Sequence, residues 1–337
     1  MIAMRALGKS GPSVSAIGLG CMGMSGVYGP SDRSESIATI HAALDAGVTL
    51  LDTGDFYGNG HNELLIAQAL RGRDRSALQL SVKFGAQRDP AGNWVGMDMR
   101  PAAVKNSLAQ SLVRLGTDYI DVYRPARLDP HVPIEETVGA IAEMIAAGYV
   151  RHIGLSEMSA ATVRRAHAVH PIVDLQIEYA LITRGIEETI LPACRELGIG
   201  ITAYGVLSRG LIGGNWTKDR PTKNDWRAES PRFQGANLDR NLALVDALRQ
   251  LAQAKGVTVS QIAIAWVLQR GDDIVPVIGS RKRAQLADAL GALTVELNSA
   301  DLADIERAVP RGAAAGDRYS QHAMAALDSE REPVSQT

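Results

Sequence analysis

Three side chains that could share one proton-transfer site follow two predicted strands. Asp52 and Tyr57 belong to the run LDTGDFYG, and Lys83 ends the run QLSVK. A tyrosine hydroxyl has an ordinary pKa of about 10, so it releases its proton reluctantly at neutral pH. A nearby ammonium lowers that pKa, and a carboxylate keeps the lysine charged and oriented. If the fold brings them together, the three predict a tuned proton donor.

Taken singly, each of these residues has an ordinary explanation. An aspartate at the end of a strand, such as Asp52, is commonly a turn or cap residue. Tyr57 alone could be a surface aromatic, and Lys83 alone could be a solvated lysine. The chemical interpretation therefore depends on the elements that position them.

Short apolar runs alternate with longer segments of helical period along most of the chain. The candidate strands are Val14–Leu19, Val48–Asp52, Leu78–Lys83, Tyr119–Tyr123, His152–Ser156, Val173–Ile177, Ile199–Ala203 and Ile274–Ile278. The candidate helices are Ser34–Ala46, Asn62–Leu70, Ala102–Leu115, Ile134–Ala147, Ala160–Ala168, Glu187–Leu197 and Ala284–Leu290. Several of the helices end at glycine, as C-cap chemistry favours.

Eight such repeats predict an α/β fold, a (β/α)8 TIM barrel, with an open doubly wound sheet as the rival. We expect residues 1–13 to form a hairpin, 208–239 to form a long loop after strand seven, and 1–319 to be a single domain. Residues 320–337 read as a flexible tail. In a barrel, the carboxyl ends of the strands converge on one face, so Asp52, Tyr57 and Lys83 can meet there.

Composition narrows the classes of partner. The chain has 337 residues and a formal net charge of -2, which gives no reason to expect nucleic acid as a partner.

Two cysteines, Cys21 and Cys194, suit a reducing compartment. With no signal peptide or membrane span, we expect a cytoplasmic protein, either monomer or homo-oligomer. His167 and His170 lack a third ligand nearby in sequence, so no metal is expected.

The glycines of Gly18–Gly23 match the GxGxxG pattern of Rossmann dinucleotide sites. That motif should open directly into a helix, whereas Ser25–Pro30 is typical of a loop. The acidic residue expected after a second strand could only be Asp52, which lies too far along the chain. A glycine-rich turn at the end of the first strand is the better interpretation.

Several motifs occur in one order from about residue 4 to 319. They are Gly18–Ser25, Leu51–Glu63, Ile153–Glu157, Asp174–Glu178, Ala203–Tyr204, Leu207–Leu211, Ile278–Arg281 and Gly316–Tyr319. Together they resemble the aldo-keto reductase superfamily, especially its bacterial and yeast-type branch. The resemblance implies hydride transfer between NADPH and a small-molecule carbonyl substrate. Tyr57 would be the general acid, Lys83 would lower its pKa, and Asp52 would support Lys83.

The resemblance also implies a cofactor site. Ser156 and Gln176 would hold the nicotinamide carboxamide, and Tyr204 would stack on its ring. Ser280 and Arg281 match the site of the adenosine 2′-phosphate, at the start of a helix where anions are favoured, and the positive run Arg281–Arg283 favours NADPH. The implied cofactor-binding residues are Gly20, Cys21, Met22, Asp52, Ser156, Glu157, Gln176, Tyr204, Gly205, Leu207, Ser208, Arg209, Gly210, Gly279, Ser280, Arg281, Gln285 and Asp288.

One position departs from the family pattern. After strand four the family usually has a catalytic histidine, and Ala126 stands there in the run YRPARLDP. Losing a polarising donor in comparable sites costs on the order of 10²–10³ in rate. The enzyme could work with Tyr57 alone, take a bulkier substrate, or be a weakly catalytic nucleotide-binding regulatory or sensing subunit. The candidate substrate-side residues are Tyr57, Trp94, Ala126 and Arg127.

Overall fold

The computed structural model describes residues 2–213, 216–218 and 225–331. An antiparallel hairpin comes first, with β1 (Met4–Ala6) paired to β2 (Ser13–Ser15). The predicted strand Val14–Leu19 is wrong as a single element. Its first residues pair with β1, a bend follows at Ala16–Ile17, and the barrel strand starts only at Gly18.

Eight parallel strands form a closed barrel within the described residues, and a second hairpin, β6 with β7, follows the third of them. In chain order the strands are β3 (Gly18–Gly20), β4 (Leu50–Gly54), β5 (Gln79–Phe84), β6 (Ala86–Arg88), β7 (Trp94–Met97), β8 (Ile120–Pro125), β9 (Val150–Ser156), β10 (Ile172–Glu178), β11 (Gly200–Tyr204) and β12 (Ile274–Gly279). The last strand pairs with the first, and Gly279 lies opposite Gly20. The predicted (β/α)8 barrel is confirmed.

The helices surround the barrel. They are α1 (Arg33–Asp45), α2 (His61–Ala69), α3 (Pro101–Leu115), α4 (Ile134–Ala146), α5 (Ala160–Val169), α6 (Ile190–Leu197), α7 (Gly235–Ala254), α8 (Val259–Leu268), α9 (Arg283–Gly291), α10 (Ser299–Ala308) and α11 (Gln321–Ala325). Local sequence sets several boundaries. Asp32 caps the start of α1 with its side chain, and Gly116 and Gly198 end α3 and α6 in the left-handed conformation.

Four helices, α7, α8, α10 and α11, are not among those predicted from the sequence. In α8 every residue from Ile262 to Val267 is buried, so the apolar positions show no helical period. Helix α7 begins inside the segment 208–239 that the sequence predicts to be loop. Residues 214–215 and 219–224 of that segment lie outside the described residues.

The amino-terminal end of the barrel is closed by apolar side chains. Leu7 and Val14 from the hairpin cluster with Leu50, Val122, Val173, Val275 and Val277 of the strands. Burial of these side chains removes apolar surface from water at one mouth of the barrel. The opposite mouth, where the strands end, is left for polar residues.

The end of the chain differs from the expected tail. Residues 320–331 contain α11 and a short 3-10 helix, Asp328–Glu330. Leu327 is buried, and Asp328 accepts a hydrogen bond from the backbone N–H of Ser159. The segment therefore packs against the barrel through the burial of Leu327 and the hydrogen bond of Asp328. Residues 332–337 of the predicted tail lie outside the described residues.

Candidate active site

A cavity of about 450 Å³ opens at the carboxyl ends of the barrel strands. Most of the residues singled out from the sequence line it, namely Gly20, Met22, Asp52, Tyr57, Lys83, Arg127, Ser156, Gln176, Tyr204, Gly205, Leu207, Arg209, Gly210, Gly279, Ser280, Arg281, Gln285 and Asp288. A wider groove of about 730 Å³ lies beside the N-terminal hairpin and contains none of them. The cavity at the strand ends is therefore the candidate site.

Five singled-out residues do not line this cavity. Cys21 is fully buried, and burial raises the pKa of its thiol well above the usual range. Ala126 is also buried, whereas Trp94 is 46% exposed, and its ring packs edge-on against Phe56, which lines the cavity. Ser208 and Glu157 are buried behind the wall. Direct contact of Ala126 or Trp94 with a substrate in this cavity is therefore not supported by the geometry.

Asp52 is the acceptor around which the site is built. The parallel pairing of β4 with β5 sets Asp52 beside Ser81, and Gly54 beside Lys83. The Asp52 carboxylate forms an ion pair with the Lys83 ammonium and accepts hydrogen bonds from Ser81 Oγ at 2.9 Å and Gln176 Nε2 at 2.8 Å. Burial lowers the pKa of Lys83, and the charge of Asp52 opposes that fall.

A second ion pair lies deeper in the barrel. Arg124 is fully buried, contacts Asp174 at 3.0 Å and donates to Ser81 Oγ at 2.9 Å, so it connects through Ser81 to Asp52. The pair needs the space left by Gly154, where a Cβ would lie 2.5 Å from Asp174 Oδ1 and 3.0 Å from Arg124 Cζ. The interior of the barrel thus fixes the orientation of Asp52 from below.

Tyr57 follows β4 in a short loop and is only 7% exposed. The Lys83 Nζ lies 5.3 Å from the centre of its ring. Burial raises the pKa of Tyr57 well above 10, the charge of Asp52 raises it further, and the charge of Arg127 lowers it. The sequence predicts Lys83 as the lowering cation. Arg127 is a cation that lowers the pKa of Tyr57 and that the sequence does not assign to this role.

Ser156, Gln176 and Tyr204 end neighbouring strands. Gln176 pairs with Ser156 across β9 and β10. The Tyr204 hydroxyl donates to Glu157 Oε1 at 2.6 Å and lies 2.9 Å from the hydroxyl of Tyr319. These contacts hold the Tyr204 ring at the cavity edge.

Glu157 faces away from the cavity, toward the end of the chain. It forms a buried ion pair with Arg318 and accepts a hydrogen bond from Ser329 Oγ. Burial alone would raise the pKa of Glu157, but the charge and hydrogen bonds of Arg318 lower it well below the ordinary value. Its backbone has a positive φ of 53°, a conformation that stores strain. Glu157 therefore orients Tyr204 and fastens the C-terminal segment.

The other end of the cavity lies where β12 leads into α9. Ser280 is buried, and its Oγ has no hydrogen-bond partner in the part of the chain described. Arg281 donates through one guanidinium nitrogen to the carbonyl oxygens of Tyr28, Gly29 and Pro30, at 3.0–3.3 Å. Asp288 accepts from Thr258 Oγ1 at 2.8 Å. This end offers positive charge, an unused hydroxyl and a helix N-terminus.

Sequence reasoning missed several lining residues, among them Tyr28, Phe56, Arg227 and Tyr319. Tyr319 closes the motif Gly316–Tyr319, so that motif could have indicated it. Arg227 lies in the loop after strand seven, where no local pattern distinguishes it from other loop residues. Among the described residues, no group of three or more histidine, cysteine or acidic side chains could hold a metal ion.

In residues 2–213, 216–218 and 225–331, no individual helix combines the length and apolarity needed to cross a bilayer. Helices α7 and α8 reach that criterion only when taken together, across a bend of 89°.

A sequence model of the Aldo/keto reductase family matches residues 16–310. The chain belongs to the aldo/keto reductase family. A Glycine max protein named "Probable aldo-keto reductase 1" is 44% identical over 314 residues, which cover 93% of this chain and 90% of that protein. Membership identifies the protein as an oxidoreductase of a family that generally uses a nicotinamide cofactor.

Solved structures of this family share the fold. The glycerol dehydrogenase of Gluconobacter oxydans is similar with a TM-score of 0.82 and 27% identity, covering 99% of this chain and 98% of that one. An aldo-keto reductase of Bacillus halodurans, in its holo form, has a TM-score of 0.76 and 27% identity, with 96% and 99% covered. The barrel described above is therefore the aldo/keto reductase barrel.

Proposed function

We propose that the protein is an NADPH-dependent oxidoreductase that reduces an aldehyde or ketone to an alcohol, and runs in reverse when the cofactor ratio favours it. One observation carries the proposal. Tyr57 and the ion pair of Asp52 with Lys83 line the same cavity as Ser280 and Arg281. A proton donor at one end and an anion-binding surface at the other suit a phosphorylated nucleotide bound along the cavity.

The residues present fit such a cofactor. The buried Oγ of Ser280 lacks a partner among the described residues, a cost that a phosphate oxygen would remove. Ser208 and Arg209 adopt positive φ, and Arg209 lines the cavity. Strained backbone of this kind is concentrated at ligand sites. Ser156 and Gln176 would bind the carboxamide of the nicotinamide, and Tyr204 would contact its ring.

The chain's own residues supply the proton. When bound, NADPH supplies a hydride to the carbonyl carbon. Tyr57 donates its hydroxyl proton to the carbonyl oxygen, and Lys83 stabilises the phenolate that is left. Asp52 holds Lys83 charged against the effect of burial. Because the pKa of Tyr57 is raised, the phenol is in the protonated form that reduction requires.

Turnover of carbonyl compounds tests the proposal. The purified protein should oxidise NADPH in the presence of some members of a panel of aldehydes and ketones. Tyr57→Phe should lower kcat by about 10²–10⁴-fold, because the proton donor is gone, and leave NADPH affinity nearly unchanged. Tyr149→Phe, at a half-exposed tyrosine outside the cavity lining, is the matched control and should keep wild-type turnover. Loss of NADPH binding in Tyr57→Phe would contradict the assigned role.

A second candidate is a regulatory subunit that senses nicotinamide nucleotides. Ala126 favours it, because its methyl group cannot donate to a carbonyl oxygen. Tight binding of NADPH, measured by fluorescence titration, with no oxidation of NADPH by any carbonyl in the panel would support this candidate. The reductase is preferred because the proton donor and its ion pair are assembled.

We propose a cytoplasmic location and a small-molecule carbonyl as the partner. Both cysteines, Cys21 and Cys194, are buried free thiols, which suits a reducing compartment. Whether the protein forms a homo-oligomer can be measured by light scattering.

A further inference from the structure

Arg127 lines the cavity, and the sequence predicts it as a substrate-side residue. It follows β8 directly and lines the cavity with Tyr57 and Lys83. One guanidinium nitrogen donates to the carbonyl oxygen of Ala126 at 2.6 Å and to Ser156 Oγ at 3.3 Å. The guanidinium is therefore folded back beside the backbone of Ala126, the position whose usual imidazole is absent.

Among the described residues Arg127 forms no ion pair, and the charge of Glu157 acts on it only through space. The other buried cations nearby are paired, Lys83 with Asp52, Arg124 with Asp174 and Arg209 with Glu178. Across residues 2–213, 216–218 and 225–331, Arg127 forms no ion pair, and its Nε and second terminal nitrogen make no hydrogen bond. Arg127 is half-buried and lines the cavity, so these N–H groups are available to a ligand bound there.

The position of Arg127 relates it to the proton donor. Its charge opposes the effects of burial and of Asp52 on the pKa of Tyr57. A cation that stabilises the Tyr57 phenolate also stabilises negative charge on the oxygen that Tyr57 protonates. Preorganised donors aimed at such a developing charge commonly provide a large part of catalysis.

We propose that Arg127 is a catalytic residue whose free N–H groups donate to the substrate's carbonyl oxygen, in place of the imidazole absent at Ala126. The inference rests on the proposed reductase function. The oxygen takes its proton from Tyr57, and Arg127 keeps all of its protons throughout. The role therefore applies to neutral and charged carbonyl substrates alike, which separates it from a role in anchoring a substrate carboxylate.

Arg127→Met, Arg127→Lys and Arg127→Ala test the proposal, with benzaldehyde and 4-carboxybenzaldehyde as matched neutral and anionic substrates. We expect Arg127→Met to lower kcat for both by about 10²–10³-fold, with little change in KM or in NADPH affinity. Arg127→Lys should retain more activity, and added guanidinium ion at millimolar concentration should restore part of the activity of Arg127→Ala. Arg307→Met, at an exposed residue of α10, is the control and should behave as wild type.

Two results would overturn the proposal while leaving the reductase function intact. One is wild-type kcat with benzaldehyde in Arg127→Met, with KM raised only for the carboxylated aldehyde, which would identify an anion anchor. The other is a loss of activity explained by lost NADPH binding. Absence of turnover in the wild-type protein would instead overturn the proposed function.

A measurement on the protein without cofactor gives an independent readout. The phenolate absorbance that Tyr57→Phe removes reports the titration of Tyr57. Arg127→Met should shift that titration to higher pH, because the offsetting charge is lost. An unchanged titration would contradict the proposed proximity of Arg127 to the reacting oxygen.

Discussion

Lys83 stays charged in a buried position because the carboxylate of Asp52 lies against it. Both side chains are at most 7% exposed, so neither has water as a substitute partner. Breaking such a pair by removing one charge is strongly destabilising, because the other charge stays buried. The ion pair of Asp52 with Lys83 is thus also part of the structural core.

Asp52→Asn should therefore affect stability and activity together. We expect a loss of about 3–5 kcal/mol in the free energy of unfolding, measured by urea denaturation. The kcat should fall as well, since Lys83 loses the charge that opposes deprotonation. Asp246→Asn removes an exposed ion pair with Arg249 and should change stability by less than about 1 kcal/mol. Equal effects of the two substitutions would contradict the importance of burial.

Arg281 should govern the choice of cofactor. It lies beside Ser280 at the start of α9, where a 2′-phosphate would bind. Arg281→Met should raise the KM for NADPH by at least about tenfold, equivalent to roughly 1.4 kcal/mol, and barely change the KM for NADH. Steady-state kinetics with the two cofactors gives the ratio. An equal rise for both would show that Arg281 acts on a part of the nucleotide that the two cofactors share.

At the scale of elements, the C-terminal segment 316–331 supports the cavity wall. Tyr319 lines the cavity, and Arg318 joins Glu157 to Glu330. Since Glu157 also accepts from the Tyr204 hydroxyl, the segment and the ring are held by one carboxylate. An element at the end of the chain thus determines the shape of the site.

Arg318→Met should destabilise the protein by about 3–5 kcal/mol, because it leaves the carboxylate of Glu157 buried without its cation. Limited proteolysis should then cut within residues 316–331 at protease concentrations that leave the wild-type segment intact. Arg331→Met is the matched control, since Arg331 is half-exposed and its ion pair with Asp328 is long, at 3.9 Å. A segment that resists proteolysis in Arg318→Met would show that apolar contacts such as those of Leu327 suffice to hold it.

The strands that carry the site could be predicted from sequence, because β-branched apolar runs ending in polar residues are a local signal. The pairing of Glu157 with Arg318 could not, since the two residues are 161 positions apart and no local pattern relates the two motifs in which they lie. The same holds for Arg127. Its chemistry depends on the conformation that its long side chain adopts beside the small Ala126. No spacing of residues in the sequence determines that conformation. Helix α8 could not be predicted from the sequence because a helix that is buried on all sides has no amphipathic pattern.

At the scale of the whole molecule, stability should depend on one buried carboxyl next to the site. Burial and the charge of Glu63 raise the pKa of Asp55 to about 7. An aspartate in an unfolded chain has a pKa of about 3.9. The folded state therefore holds this proton more tightly, and the stability that Asp55 contributes is complete below about pH 4 and is lost as the pH rises to about 7.

Asp55→Asn should flatten this dependence, because the amide does not titrate. Between about pH 5 and pH 7 the wild-type free energy of unfolding should fall by up to about 1.4 kcal/mol per pH unit more than that of the variant. Urea denaturation at several pH values gives both slopes. Asp246→Asn should keep the wild-type slope, and parallel curves for wild type and Asp55→Asn would contradict the assignment.

The ring of strands closes where Gly279 meets Gly20, and both glycines line the cavity. A ligand bound beside them contacts both the first and the last strand of the barrel, so it stabilises the pairing of β3 with β12. During translation this part of the binding site is incomplete until residue 279 has left the ribosome. A ligand that binds only the closed ring would stabilise the folded state by about 2.7 kcal/mol when it is present at a hundred times its Kd.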